Sequence, residues 1–210
     1  MSIVCPTITA TTVEEFKTQI NSVIKFAPRI HLDLADGFFA PKLIDVKKIW
    51  LPELIVDIHV MYEYPGLVIE QLIGLKPHMI IIHYESDANF NEIAEILKFN
   101  NIKFGVAILQ QTDTEVLSQF KNIIDHVLIF SGNLGYFGGS ADLGLLEKAK
   151  EIKALNSKIE IGWDGGINLS NAKILSDHHI EVLNVGGYIH KSKDPEHAYK
   201  TMVKALKDSK

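Results

Sequence analysis

The sequence predicts an α/β protein that folds as a single-domain (β/α)₈ TIM barrel over residues 1–210. Three observations lead to this fold class. Short apolar segments alternate with segments of helical periodicity along the whole chain. This alternation implies parallel strands joined by right-handed crossovers, and eight such units without spare segments favour a closed barrel. The alternative is an open doubly wound sheet, but no Gly-x-Gly-x-x-Gly motif follows the first strand to support it.

The first half of the chain contains four of the predicted units. Apolar runs predict the strands, and apolar residues spaced three or four apart predict the helices between them. The strands are expected at 3–8, 30–34, 54–61 and 79–83, and the helices at 13–25, 44–50, 66–73 and 91–99. Pro52 is expected to close the second of these helices.

The second half of the chain continues the same alternation. Its strands are expected at 103–109, 126–130, 159–163 and 182–185, and its helices at 115–120, 143–155, 169–176 and 195–206. The chain of 210 residues is shorter than the roughly 250 residues usual for this fold, so short loops are expected.

Composition excludes several classes of function. The formal net charge is -5 and no block is dense in Lys or Arg, so a nucleic-acid partner is not expected. No apolar run has the length of a membrane span and the first residues lack signal-peptide features, which predicts a cytoplasmic protein without a membrane partner. The single cysteine, Cys5, excludes an internal disulfide and a cysteine-based metal cluster within one chain.

His31 and Asp33 are the first candidate site residues. They lie two positions apart in a predicted strand, so their side chains point to the same face. His59 and Asp164 lie at the ends of two other predicted strands, at the barrel edge where functional groups gather. The four side chains could converge on one divalent ion, with zinc, iron, manganese and cobalt all suited to nitrogen and oxygen ligands. The alternative is a satisfied core His–Asp pair, and His83 is expected to be an ordinary strand-end residue near solvent.

Glycine pairs follow the last two predicted strands. They are Gly165-Gly166 and Gly186-Gly187, at the positions where barrels commonly bind phosphate through backbone N–H groups. A longer glycine-rich loop over 132–140 follows the sixth strand and could close over a ligand as a lid. Tight turns and a surface loop are the alternative interpretations.

These motifs, in this order, resemble the ribulose-phosphate 3-epimerase family from Cys5-Pro6-Thr7 to Val185-Gly186-Gly187. The stretch from His31 to Gly37 is similar to the family's His-x-Asp-x-Met-Asp-Gly, and the stretch from Asp57 to Met61 to its Asp-x-His-Leu-Met. The segment 160–167 resembles the family's strand that ends in Asp-Gly-Gly.

The resemblance implies a role for each matching position. It implies one divalent metal ion held by His31, Asp33, His59 and Asp164, with Asp33 and Asp164 as proton acceptor and donor. Thr7 stands where the family has a substrate-contacting serine. The resemblance also implies a phosphorylated ketose as substrate and a homo-oligomer. The full set of expected substrate contacts is Thr7, His59, Met61, Gly135, Phe137, Gly138, Gly139, Gly165, Gly166, Gly186 and Gly187.

The chemistry of an epimerase agrees with this set. Inverting a carbon beside a ketone requires one group to remove a proton from one face and another to return a proton to the opposite face. Two carboxylates can do this if one is ionised and the other protonated. A metal ion would stabilise the enediolate between the two steps, and a closed lid would keep that intermediate from water.

The chain also departs from the family pattern. Ala35 and Phe130 stand where family members usually have Met, so Met61 is the one methionine left of three expected to cap the reacting carbon. Gln110-Gln111 replaces an Asn-Pro, Gly186-Gly187 replaces a Gly-Ser, and the lid loop has one extra residue. These changes affect the pocket that selects the substrate more than the metal and acid–base set.

Three functions therefore remain open. The first is metal-dependent epimerisation at C3, which interconverts D-ribulose 5-phosphate and D-xylulose 5-phosphate, or the same reaction on a hexulose phosphate such as allulose 6-phosphate. The second is a phosphosugar decarboxylase or aldolase, which the absence of a lysine from the 31–36 stretch argues against. The third is a barrel that binds a phosphosugar without turnover.

Overall fold

The computed structural model describes residues 2–51, 53–134, 136 and 139–207. Eight parallel strands follow one another around a closed barrel in chain order, and the last strand pairs with the first. The predicted fold class is therefore confirmed. The strands are β1 Ile3–Ile8, β2 Arg29–Ala35, β3 Ile55–Met61, β4 Met79–His83, β5 Lys103–Ile108, β6 His126–Phe130, β7 Glu160–Asp164 and β8 Val182–Val185.

The helices belong to the connections between these strands. They are α1 Val13–Val23, α2 Ile69–Gly74, α3 Phe90–Phe99, α4 Leu146–Leu155, α5 Ala172–Asp177, α6 Gly187–His190 and α7 Pro195–Lys207. Thr12 begins α1 with a capping box, in which its side chain accepts from Glu15 N–H while the Glu15 carboxylate accepts from Thr12 N–H. Among the described residues, no helix is both long and apolar enough to cross a membrane.

Two predicted helices are wrong in type. The segment 44–50 contains a single 3₁₀ turn, Val46–Lys48, and the segment 115–120 is a 3₁₀ helix, Thr114–Gln119. In the first segment Ile44, Val46 and Ile49 are buried at spacings of two and three residues, which is not the period of an α-helix. Pro52, expected to end this helix, lies outside the described residues. The sequence also gave no sign of α6, because four residues are too few to show a period.

The strands separate two layers of core. Side chains that alternate along each strand point outward to the helices or inward to the barrel axis. In β4, for example, Ile80 and Ile82 belong to the large core that includes the helices, whereas Met79 and Ile81 join a small separate cluster with residues of β5 and β6. The barrel interior is therefore apolar near mid-height, and its polar side chains lie toward the two ends.

The end of the barrel formed by the strand N-termini carries a buried ion cluster. The guanidinium of Arg29 donates to Asp57 Oδ2 over 2.7 Å and to both carboxylate oxygens of Glu160 over 3.0 and 2.8 Å. His126 Nδ1 lies 2.9 Å from Glu160 Oε2. Burial alone would raise the pKa of Glu160, but the hydrogen bonds from His126 and Arg29 hold that pKa below its ordinary value. One arginine thus compensates two carboxylates that belong to different strands.

We expect Arg29→Met to lower the free energy of unfolding by about 3–5 kcal/mol, because the change leaves buried Asp57 and partly buried Glu160 without their cation. Urea denaturation at pH 7, followed by circular dichroism, measures the change. Lys150→Met is the matched control, since it removes an ion pair to Glu147 in which both side chains are exposed, and no measurable change is expected. Equal stability of the Arg29 variant and the wild type would contradict the role given to the cluster.

Candidate active site

A cavity of about 220 Å³ opens at the C-terminal ends of the strands. Its described lining comes from β1, β2 and β3 on one side and from the ends of β6, β7 and β8 with their loops on the other. Barrel enzymes carry their catalytic groups at this end of the barrel, because the loops after the strands meet there. Asp33 and Asp164 both line the cavity.

Four of the sequence-predicted residues converge beside this cavity. His31 and Asp33 come from β2, His59 from β3 and Asp164 from β7, and one ligand atom from each lies within 4.8 Å of the others. The convergence follows from strand register, because Asp33 is the direct neighbour of His59 in the β2–β3 pair. The sequence predicted this cluster without access to the register, from the position of each residue late in a strand.

The residues of this cluster fit a divalent metal ion. His31 Nε2 lies 3.3 Å from Asp33 Oδ1 and 3.6 Å from Asp164 Oδ2, and His59 Nδ1 lies 3.1 and 3.9 Å from the same two oxygens. Ligands placed tetrahedrally at about 2.0–2.1 Å from an ion are roughly 3.3 Å apart. In addition, neither ring nitrogen of the fully buried His31 has a hydrogen-bond partner. Buried polar atoms without partners are uncommon and costly, so the geometry suits an ion between these groups.

The two carboxylates of the cluster have pKa values displaced in opposite directions. Burial, and then the negative charge of Asp33, raise the pKa of Asp164 to about 7. For Asp33, burial acts in the same upward direction, but the close approach of the His31 and His59 rings brings its pKa below the ordinary value. Thr9 Oγ1 also donates to Asp33 Oδ2 over 2.6 Å. Asp33 is thus held as the carboxylate, and Asp164 takes up a proton far more readily.

His83 is not the near-solvent residue that the sequence led us to expect. It is fully buried at the end of β4, and its Nε2 lies 2.9 Å from Nε2 of His59. Its Nδ1 lies 3.2 Å from Glu85 Oε2. The expectation was wrong because the loop after β2 covers this strand end, so that the Phe39 ring packs 4.9 Å from the His83 ring.

Most of the predicted substrate contacts lie on the cavity. Seven of them are among its lining residues, namely Thr7, Met61, Gly139, Gly165, Gly166, Gly186 and Gly187. His59 is fully buried behind Asp33 and is absent from the described lining. Gly135, Phe137 and Gly138, the remaining predicted contacts, lie outside the described residues.

The two positions directly after β7 require glycine for steric reasons. Gly165 and Gly166 have φ angles of +111° and +70°, in a region that other residues rarely adopt. A Cβ on Gly165 would lie 2.2 Å from the backbone N of Gly132, and one on Gly166 would lie 2.0 Å from that of Ala141. The loop after β7 therefore packs directly against both ends of the loop after β6, which is possible because neither residue has a side chain.

The sequence analysis missed several polar lining residues. Asn184 in β8 is 2% exposed, and neither its amide oxygen nor its amide nitrogen has a hydrogen-bond partner. Thr7 Oγ1 is likewise buried and unpartnered. Among the described lining residues, Lys191 is the one whose side chain is positively charged. A signal was available for Asn184, because it is a polar residue in an otherwise apolar strand. The other lining residues that were not singled out are Thr9, Asn133, Tyr136, Ile167, Asn168 and Tyr188.

Comparison with known proteins places this geometry in a family. A model of the ribulose-phosphate 3 epimerase family matches residues 3–190. The chain is 29% identical over 201 residues to the ribulose-phosphate 3-epimerase of Helicobacter pylori strain J99, covering 91% of this chain and 92% of that protein. It is 25% identical over 206 residues to the ribulose-phosphate 3-epimerase of Bacillus subtilis strain 168, covering 93% and 95% of the two chains.

Similar folds occur among solved structures. The 3-hexulose-6-phosphate synthase of Salmonella typhimurium has a TM-score of 0.78 at 15% identity, covering 99% of this chain and 100% of that chain. The 3-keto-L-gulonate-6-phosphate decarboxylase of Vibrio cholerae has a TM-score of 0.75 at 10% identity, covering 98% and 97%. At these identities the likeness concerns the fold alone. The family match over almost the whole chain decides the assignment: this protein belongs to the ribulose-phosphate 3 epimerase family.

Proposed function

We propose that this protein is a metal-dependent epimerase that inverts C3 of a phosphorylated ketose, with D-ribulose 5-phosphate and D-xylulose 5-phosphate as the substrate pair. The observation that carries the proposal is the pair Asp33 and Asp164, which line one cavity from β2 and β7 and differ in the direction of their pKa displacement. A reaction that removes a proton on one face and returns one on the other needs such a pair.

The residues divide the proton transfers between them. Asp33, held as the carboxylate, accepts the proton from C3 of the ketose, while Thr9 orients its second oxygen through the 2.6 Å hydrogen bond. Asp164, whose pKa of about 7 leaves a large protonated fraction near neutral pH, donates its proton to the opposite face of C3. In the reverse direction the two carboxyl groups exchange roles. Met61 and Phe130 line the same cavity and would exclude water from the reacting carbon.

The ligands for the metal ion would be His31, Asp33, His59 and Asp164. Zinc, iron, manganese and cobalt all accept two imidazole nitrogens and two carboxylate oxygens. A bound divalent ion supplies Lewis-acid stabilisation of the negative charge that develops on the ketose oxygens. Burial lowers the pKa of His59 to about 3, so its imidazole stays neutral and keeps a lone pair for a ligand.

Substrate recognition uses the rest of the cavity. Gly186 and Gly187 leave the backbone after β8 open to close approach by a phosphate, and Lys191 adds a positive charge to the same lining. Thr7 and Asn184 offer unpartnered hydrogen-bonding atoms to the hydroxyls of the sugar. The unpartnered amide also favours the second candidate, a hexulose phosphate, since a six-carbon ketose presents one more hydroxyl.

Asp33→Asn and Asp164→Asn each lose C3 epimerisation by at least about 10³-fold, because each change removes one proton-transfer group at nearly constant volume. NMR of each variant with either epimer in D₂O, with excess metal present, separates the two roles. Each variant should still exchange the C3 hydrogen of one epimer for deuterium but not the C3 hydrogen of the other. Asp142→Asn, a change at a helix cap in the same rim, is the control and keeps wild-type turnover. Near-wild-type epimerisation in either site variant would refute the assignment.

Removal of the metal abolishes turnover and lowers the melting temperature. At a metal concentration of about 100 Kd, binding adds roughly 2.7 kcal/mol of stability, or about 5–10 °C in a chain of this size. Differential scanning fluorimetry with and without chelator measures the shift, and His31→Ala serves as the control that does not respond. A metal content of less than about 0.1 ion per chain corresponds to trace contamination. Full activity at that content would exclude a catalytic metal site.

Asn184→Leu stabilises the protein while it weakens catalysis. Removing an unpartnered buried amide relieves a desolvation cost of about 1–3 kcal/mol, whereas loss of its hydrogen bond to the sugar lowers kcat/KM by about tenfold. Asn171→Leu is the matched control: that amide is buried and donates to Gly166 O over 3.0 Å, so its removal destabilises the fold. Unchanged kcat/KM for both pentulose and hexulose phosphates would exclude a substrate contact at Asn184.

A further inference from the structure

A chain of polar contacts runs from the ligand cluster into the barrel wall. His59 Nδ1 faces the carboxylates of the cluster, and His59 Nε2 faces His83 Nε2 at 2.9 Å. His83 Nδ1 faces Glu85 Oε2 at 3.2 Å. The second oxygen of Glu85 accepts from Leu109 N–H over 3.0 Å and from the hydroxyl of Thr112. Both imidazole rings are fully buried, so water does not compete for these contacts.

The short distance between the two Nε2 atoms restricts where the protons lie. One of the two nitrogens must carry the hydrogen and the other must present its lone pair, because two N–H groups or two lone pairs at 2.9 Å would repel. If His83 were the donor, its Nδ1 lone pair would face the Glu85 carboxylate, which is repulsive. If His59 is the donor, His83 Nδ1–H donates to Glu85, and both contacts, from His59 to His83 and from His83 to Glu85, are attractive.

The second arrangement has a consequence for the ligand cluster. A neutral imidazole carries one N–H, so a hydrogen on His59 Nε2 leaves a lone pair on His59 Nδ1. That nitrogen is the one that lies 3.1 Å from Asp33 Oδ1 and 3.9 Å from Asp164 Oδ2, and a cation between these atoms would make the contacts of its lone pair with the carboxylates attractive. The carboxylate of Glu85 therefore decides, through His83, which nitrogen of His59 is free to bind an ion.

We propose that His83 is a positioning residue that holds His59 in the Nδ1-ligating tautomer and orientation, with Glu85 fixing His83 in turn. The proposal rests on the metal site of the proposed function and adds two residues that touch neither the cavity nor the ligand atoms. Partners of this kind behind a ligating histidine change metal affinity by about 10–100-fold when they are removed.

Aromatic packing supports the same role by holding the His83 ring in place. The ring centroid of His83 lies 4.9 Å from Phe39, 4.9 Å from His59 and 5.8 Å from Phe130. Phe130 also lies 5.9 Å from His59. A ring enclosed in this way keeps its two nitrogens aligned with His59 and Glu85, and it has no access to substrate. His83 is thus placed to act through His59 and not on the reacting carbon.

The test measures metal binding directly, without substrate. Affinities for Zn²⁺ and Co²⁺ are obtained by competition with a chromophoric chelator for the wild type, His83→Leu and His83→Gln, and the visible spectrum of the Co²⁺ protein reports ligand geometry. His126→Leu is the matched control, because His126 is a buried histidine at the opposite end of the barrel, paired with Glu160. Glutamine can accept from His59 through its oxygen and donate to Glu85 through its nitrogen, so it should restore the chain of contacts.

The expected result is a 10–100-fold loss of affinity and a changed Co²⁺ spectrum in His83→Leu, with His83→Gln within about threefold of the wild type. His126→Leu should leave both readouts unchanged even where it lowers stability. In ¹⁵N-histidine NMR of the zinc-loaded wild type, the hydrogen of the His59 ring should lie on Nε2. That measurement needs no variant, so it stands even where a substitution prevents folding.

Three results would overturn the proposal. Equal affinities for wild type and His83→Leu would show that His59 needs no partner, and an Nδ1–H tautomer of His59 would contradict the proton placement. Failure of His83→Gln to recover affinity would exclude the hydrogen bond as the cause. By contrast, a wild type that binds neither Zn²⁺ nor Co²⁺ would refute the proposed metal-dependent function itself, so the two failures are distinguishable.

Discussion

The structure depends on how each end of the barrel compensates its buried polar groups. At the end formed by the strand N-termini, Arg29 neutralises Asp57 and Glu160 within the protein itself. At the opposite end, His31 has two unpartnered ring nitrogens and Asn184 an unpartnered amide. Asp57 and His126 also keep one unpartnered atom each, but their other polar atom is paired, whereas the His31 and Asn184 side chains have no hydrogen-bond partner at all. Buried side chains without any partner cost free energy, which favours a bound partner at this end. Internal ion pairs thus stabilise one end of the barrel, and the polar side chains without partners lie at the other.

Parallel pairing turns this difference into a site. Because all eight strands point the same way, their C-terminal residues meet around one opening, and register then decides which side chains become neighbours. Thr7 pairs with His31, Asp33 with His59, and Asp164 with Asn184. Each of these pairs brings two polar residues to the same height of the barrel. The cluster of ligands and the polar contacts around it therefore follow from strand alignment and not from any single loop.

The departures from the family pattern concern the wall of this site. Phe130 stands where methionine is usual, and its ring packs against both His59 and His83. Ala35 lies in a small apolar cluster with Ala40, Leu43 and Met61, which the loop after β2 completes. An aromatic ring in place of a flexible thioether makes this wall more rigid, since phenylalanine has fewer rotatable bonds than methionine. The change thus concerns the wall beside the histidine pair, while the cluster of His31, Asp33, His59 and Asp164 keeps the residue types of the family pattern.

The sequence alone determined the fold class, the eight strands and the four residues of the ligand cluster. These were accessible because strands in a parallel barrel are apolar runs, and because polar residues at their ends stand out against that background. His31 and Asp33 were predictable from their two-residue spacing, and Asp164 from its position before two glycines.

Only the tertiary structure decided the remaining features. The burial of His83 comes from Phe39, which is 44 positions away in the chain, so no local pattern contains it. The 3₁₀ helix Thr114–Gln119 replaced a predicted α-helix because short segments adopt the geometry that the neighbouring strands leave for them. The unpartnered state of Asn184 depends on which strands lie beside β8. Hydrogen bonding and burial are relations between distant segments, and the packing of the folded chain sets them.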